Sequence, residues 1–302
     1  EAEDENSWLI LSAEAGDLSG VLFGGESTEI YVQVVTSGMD AGYYSANINV
    51  TAPNVESASI GVNLFVTGDN STPILPNIDI SSSENGIVNL PDDVDSLFRN
   101  VASRYTHIVA PNGDLIQFLI QDDFTVPQIL HTRRVLESYL TDIPDTDWGS
   151  DKSNIAIAMA ASNAIMFLLN DEDEYENPYL WDIFDSGVNG QDLLAIEVFP
   201  EGSPEYMSST ERDATYEEVL HFMHGFGIQL ALPVMQNAIE SAMLNAINND
   251  VYNPLSDLPE EDFDEEYLAM GLECYFGLWA HDPNGDGFCG DQEYAFITRE
   301  AM

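Results

Sequence analysis

Between about residues 7 and 68, apolar and polar positions alternate with a period of two. The alternation runs through Trp8-Leu9-Ile10-Leu11 and through residues 28–35, 43–50 and 57–66, with Gly, Ser and Asp turns between the runs. Such alternation predicts strands with one covered face, and the spacing of the turns is that of a small sandwich. A polar, proline-bearing stretch then reads as a linker over 69–90. From Pro91 the period lengthens and predicts helices over 91–104, 126–141, 152–169, 213–226, 233–248, 261–279 and 291–300. Two stretches interrupt them. One is a hairpin signal at Pro111-Asn112-Gly113-Asp114, flanked by Ile108-Val109 and Leu115-Ile116-Gln117-Phe118. The other is an isolated strand over 193–199. The expectation is a multidomain chain, with an all-β domain over 1–68 and a mostly helical α+β domain over 91–302.

The order of the first domain carries a resemblance. Trp8-Leu9 is followed by Gly25-Glu26-Ser27, a strand, and Gly42-Tyr43-Tyr44-Ser45-Ala46 with Ile48 and Val50 beyond it. This resembles the small Ig-like modules of secreted bacterial multidomain proteins, the BACON-type domains in particular. It implies an Ig-like β-sandwich with a spacer, adhesion or carbohydrate-facing role, and it implies no site residues. The region holds no histidine or cysteine.

Charge narrows the partners. The 302 residues include 54 acidic and 7 basic side chains, for a net charge of −47, and Lys152 is the single lysine. A surface of this sign repels nucleic acid and anionic membranes. Acid excess with almost no lysine suits salt-rich water, where screening relieves self-repulsion. The hydrophobic content of 44% with 10% aromatics is that of a folded chain rather than an acidic tail. No apolar run is long enough to span a membrane. A chain starting at Glu1 fits a processed secreted protein or a trimmed one, so the expected location is extracellular or cell-surface.

The chemistry concentrates on the helix predicted over 213–226. Two of the five histidines, His221 and His224, stand three residues apart there, beside Glu217 and Glu218. At 100° per residue Glu217, His221 and His224 fall within about 60° of one another, with Glu218 at the edge of that stripe. Tyr216, Val219, Leu220, Phe222, Met223 and Phe226 fill the opposite arc. The polar face can ligate a metal, be a solvated surface, or hold a hydrogen-bonded histidine pair.

Glu217-Glu218-Val219-Leu220-His221 is similar to the zincin signature H-E-x-x-H with its first His replaced by Glu. That motif places two ligands at i and i+4 on one helix, with a water-activating Glu beside the first. The resemblance implies zinc held by His221 with Glu217 or His224, and Glu218 as the general base. Glu266-Tyr267-Leu268-Ala269 further resembles the E-[FY]-[FL]-A helix of gluzincins of the lethal-factor type, whose Glu completes the zinc site. Met270 stands where that family often has another acid, and Glu273, on the same helical face as Glu266, is the alternative third ligand. A strand ahead of the metal helix would form the edge on which a peptide substrate lies.

Near the C-terminus, Asp282-Pro283-Asn284-Gly285-Asp286-Gly287 and Glu293 match the EF-hand loop D-x-N-x-D-G-x5-E at every position. Asp282, Asn284, Asp286 and Glu293 would offer side-chain oxygens to Ca²⁺, and Phe288 its carbonyl. Cys274 and Cys289 are the two cysteines, one on the helix entering this loop and one inside it. In an oxidising compartment a bridge between them would stabilise by roughly 3 kcal/mol.

These readings combine into a secreted zincin-like metallopeptidase with a calcium-stabilised C-terminal unit. A carboxylate in place of the first histidine changes the charge and softness of the site, so an inactive zincin is the other outcome of the same motif. The rival class is a non-catalytic, calcium-stabilised surface, adhesion or filament protein that self-associates.

Overall fold

A computed structural model describes residues 8–13, 18–19, 28, 30–35, 39, 42–52, 57–66, 73–200, 202–208, 213–256 and 258–276. The chain divides into two units, Glu1–Thr72 and Pro73–Met302.

In the first unit, β1 (Leu9–Ala13) pairs antiparallel with β2 (Ile30–Val34), and β3 (Gly42–Val50) with β4 (Ala58–Val66). The period-two runs therefore form strands. They do not form the expected Ig-like sandwich, because the described strands make two separate two-stranded sheets. A sandwich covers one of the two alternating side-chain sets of each strand. On β2, however, Ile30, Tyr31, Val32 and Val34 from both sets are each at least 40% exposed. What is buried is local: Trp8, Ile48 and Val66, with the Trp8 ring edge-on to Tyr44 at 6.3 Å.

The second unit begins with β5 (Val88–Asn89), α1 (Ser96–Arg99), β6 (Arg104–Val109) and β7 (Leu115–Ile120). It continues through α2 (Val126–Tyr139), α3 (Ser153–Ala161), β8 (Ile165–Leu169), α4 (Pro178–Asp185) and β9 (Gly190–Leu194). Then come α5 (Pro204–Ser208), α6 (Thr215–Met223), α7 (Gln229–Ala231), α8 (Pro233–Asn248) and α9 (Phe263–Phe276). The five strands lie in one sheet in chain order, β5-β6-β7-β8-β9. Pairing is antiparallel from β5 to β7 and parallel from β7 to β9. Parallel neighbours need crossover connections, which α2 with α3 and then α4 supply. The domain expected to be mostly helical α+β is thus a mixed α/β unit around one sheet.

Helices cover both faces of that sheet. Ile116, Phe118 and Ile120 of β7, with Met166 and Leu168 of β8, pack against Ile129 and Leu136 of α2, Met159 of α3 and Leu220 and Phe222 of α6. The alternate residues Leu119, Ile165, Phe167 and Leu169 pack against Phe98 of α1 and Leu180 and Ile183 of α4. The period of two assigns each residue to its face.

Three boundaries differ from those expected. The stretch read as a linker packs from Pro73 onward: Leu75, Ile78 and Leu90 are buried, and Gln117 Nε2 donates to the Leu75 carbonyl at 3.2 Å. The helix expected over 91–104 shortens to α1, whose start Asp95 caps through Leu97 N at 2.9 Å. The run 152–169 is a helix and a strand, broken where Ser162 Oγ donates to Met159 O and Asn163 takes φ 53°. The hairpin forms as expected, with Val109 opposite Leu115 and Gly113 at φ 92°. The isolated strand proves to be β9, paired in parallel with β8 and ending before a 3₁₀ turn at Ala195–Glu197. The helix expected over 291–300 lies outside the described residues, and none of the described helices is long and apolar enough to cross a membrane.

Candidate metal centre

The start of α6 is fixed by a carboxylate just outside it. Asp213 Oδ1 accepts from Thr215 N at 3.2 Å and from Phe199 N at 3.3 Å, so it caps the helix and ties it to the chain that leaves β9. Tyr139 of α2 adds a second tie, its hydroxyl donating to the Tyr216 carbonyl at 3.0 Å. Val219, Leu220, Phe222 and Met223 then anchor the apolar face in the core. Glu217 and Glu218 occupy the first turn, where the helix dipole favours negative charge.

At its C-terminal end α6 passes into a π-helical turn, His224–Ile228. Such turns tend to appear where an insertion re-aims side chains at functional sites. Gly227 makes this one fit: a Cβ there would stand 2.7 Å from Ile155 Cγ2 and 2.9 Å from Met159 Cγ of α3.

The polar stripe of α6 is not a solvated face. Glu217 is 4% exposed, His221 6% and His224 0%. Glu217, His221 and Glu266 of α9 each bring a ligand atom within 4.8 Å of the others. His221 Nε2 lies 3.9 Å from Glu266 Oε2, buried and without a hydrogen bond. Tetrahedral zinc, with bonds of about 2.0–2.1 Å, sets its ligands about 3.3 Å apart, so the trio would have to draw together around an ion. A buried imidazole nitrogen aimed at a carboxylate, with a second carboxylate one helical turn away, fits a divalent cation. The identity of the ion is not fixed by this donor set, which suits zinc and harder transition metals alike.

The electrostatics of His221 follow from its neighbours. Burial pushes the imidazole down, but the carboxylates of Glu218, Glu266 and Glu265 outweigh that and raise its pKa to about 9. A cation held in the same place would take over the proton's role of offsetting these carboxylates.

The other expected site residues are placed elsewhere. Glu218 is on the opposite side of the imidazole: its Oε2 lies 3.6 Å from His221 Nδ1 and accepts from Gln191 Nε2 of β9 at 2.7 Å. That position does not match a base standing over Nε2. His224 is not brought to the trio. Its Nε2 meets Gln236 Oε1 of α8 at 2.7 Å, and its Nδ1 lies 3.7 Å from Glu265. Because the Gln236 amide nitrogen donates to Glu240 and Asp264, its oxygen must accept, which puts the His224 proton on Nε2. His224 thus belongs to a separate buried polar cluster joining α8 and α9.

Glu273 is buried on α9, two turns beyond Glu266 and outside the trio. Burial, then the charge of Glu273, holds the Tyr139 phenol well above its ordinary value. Cys274 is buried beside it. The calcium-loop residues Asp282, Asn284, Asp286, Phe288 and Glu293, and Cys289, lie outside the described residues.

Gln191, Asp213 and Tyr139 shape the site without having been legible as site residues. For Gln191 and Tyr139 no motif marks them; for Asp213 the signal was its position just ahead of the first turn of α6. No family model, curated protein or solved structure matches this chain.

Proposed function

We propose that the second unit is a zincin-like metal-binding domain in which Glu217, His221 and Glu266 hold one zinc ion. The observation that carries the proposal is the trio itself, two buried residues and the half-buried Glu266, with ligand atoms within 4.8 Å of one another on two packed helices. Bound there, the ion would supply Lewis-acid polarisation of a carbonyl and a water whose pKa lies near about 7, the chemistry of peptide hydrolysis. The protein's own part is to hold the two carboxylates and the imidazole together on α6 and α9, with the negative charge of Glu218 and Glu265 beside His221. The acidic composition supports an extracellular, salt-rich setting for this activity.

A second reading, a metal centre without peptidase activity, is favoured by one specific observation. Glu218 faces His221 Nδ1 instead of the trio, so the residue that the motif would use as base stands off the Nε2 side. Two measurements on the purified full chain separate the readings. Metal content by elemental analysis should show one zinc per chain, lost in Glu217→Gln, His221→Ala and Glu266→Gln. Hydrolysis of quenched-fluorescent peptide libraries by the zinc-loaded chain then supports the peptidase. Zinc without hydrolysis supports the inactive centre, and a chain that takes up no zinc refutes both.

A further inference from the structure

His221 is the one imidazole of the trio, and its two nitrogens face different carboxylates. Nε2 is directed to Glu266 at 3.9 Å and Nδ1 to Glu218 at 3.6 Å. Glu218 is not a free surface acid: Gln191 Nε2 donates to its Oε2 at 2.7 Å, which links it to β9, the last strand in the order of the sheet. One oxygen thus receives an amide hydrogen from the sheet and lies nearest the imidazole nitrogen of the helix.

We propose that Glu218 is a positioning residue for the metal ligand His221, with Gln191 setting its orientation, and that it is not the general base. The proposal rests on the metal reading of the trio. A carboxylate at the outer nitrogen of a metal-bound imidazole keeps the proton on that nitrogen, leaves the inner lone pair for the ion, and strengthens the ligand. At 3.6 Å the contact is longer than a hydrogen bond, so the proposed role requires it to shorten when the ion is bound. Spacing alone does not separate the two roles, since a residue at i+1 of the motif serves either. The geometry separates them: a base must reach the water on the ion, whereas Glu218 reaches the ring from behind. Gln191 supplies the constraint that keeps it there, and an amide can donate to a carboxylate without competing for its charge.

The test uses zinc alone as the probe and reads affinity by competition with a chromophoric chelator at pH 7. Glu218→Gln should bind zinc about tenfold more weakly and Glu218→Ala up to about a hundredfold, the range seen when such outer partners are lost. Gln191→Leu should weaken zinc in the same direction by less, and all three should keep the far-UV spectrum of the parent. Wild-type zinc affinity in Glu218→Gln, accompanied by lost peptide hydrolysis, would return Glu218 to the role of base and leave the trio standing. Failure of the parent chain to take up zinc would overturn the trio and this proposal together. A measurement without substitution covers the case in which the variants do not fold. In the zinc-loaded chain with ¹⁵N-labelled histidine, the His221 ring should show its proton on Nδ1 and the ion on Nε2. An ion on Nδ1 overturns the proposal.

Discussion

His131 Nε2 lies 2.7 Å from Asp213 Oδ2, joining the middle of α2 to the residue that caps α6. Asp213 is 1% exposed, and its other oxygen serves Thr215 N and Phe199 N. The carboxylate is acceptor-only when ionised, so the histidine donates from Nε2. The ring is then edge-on to Tyr216 at 5.8 Å. One buried carboxylate therefore ties α2 and the chain leaving β9 to the start of α6, the helix that carries Glu217 and His221.

Removal of this carboxylate leaves a histidine and two backbone N–H groups to find other partners in a dry place. Asp213→Ala should cost about 3 kcal/mol of stability, the usual loss for a buried, charge-assisted set. Asp213→Asn should cost less, because an amide oxygen still accepts. Urea unfolding followed by circular dichroism measures both. An Asp213→Ala midpoint equal to that of the parent would show that the cap does not hold α6.

Hydrophobic pattern revealed the elements whose faces differ and missed those whose faces do not. β8 is buried on both sides, so Ile165-Met166-Phe167-Leu168-Leu169 reads as one apolar run with the helix before it. Periodicity cannot separate a two-face strand from a buried helix. In the first unit, alternation gave the strands correctly but carried no information on whether a second sheet covers them. The trio was legible in part. Glu217 and His221 share one helix, where i and i+4 fix their proximity, and Glu266 followed from a motif on a second helix. His224 shares the same stripe, yet the π turn and the Gln236 amide draw it into another cluster. Gln191 was out of reach, because nothing local in β9 says which helix residue it meets.

The calcium loop from Asp282 to Glu293 is proposed from its full sequence match alone. A chelator should lower the melting temperature of the intact chain, and added Ca²⁺ should restore it. In Glu293→Gln the bidentate ligand is lost, so most of the chelator response should vanish. Because zinc is also removed by general chelators, the comparison is made with one selective for calcium. An identical melting curve with and without that chelator would count against the loop.

Asp192, next to Gln191 on β9, gives a stability that varies with pH in a definite direction. Burial raises its pKa above the ordinary 3.8; the Tyr175 hydroxyl, donating at 2.7 Å, opposes this, and the charge of Glu218 adds to it. A carboxylate raised on folding holds its proton more tightly in the folded chain. Its stabilising contribution is therefore present below the unfolded value and lost as pH rises through the folded one, leaving a cost at neutral pH. Asn at this position keeps an acceptor for Tyr175 and carries no charge. Asp192→Asn should thus melt higher than the parent at pH 7, and the gap should shrink on acidification and close below pH 3.8. Thermal scans at about pH 7, 5 and 3, in buffers of equal ionic strength, decide the point. A variant less stable than the parent at pH 7, or a gap that does not change with pH, would mean that Asp192 is ionised in the fold at no cost.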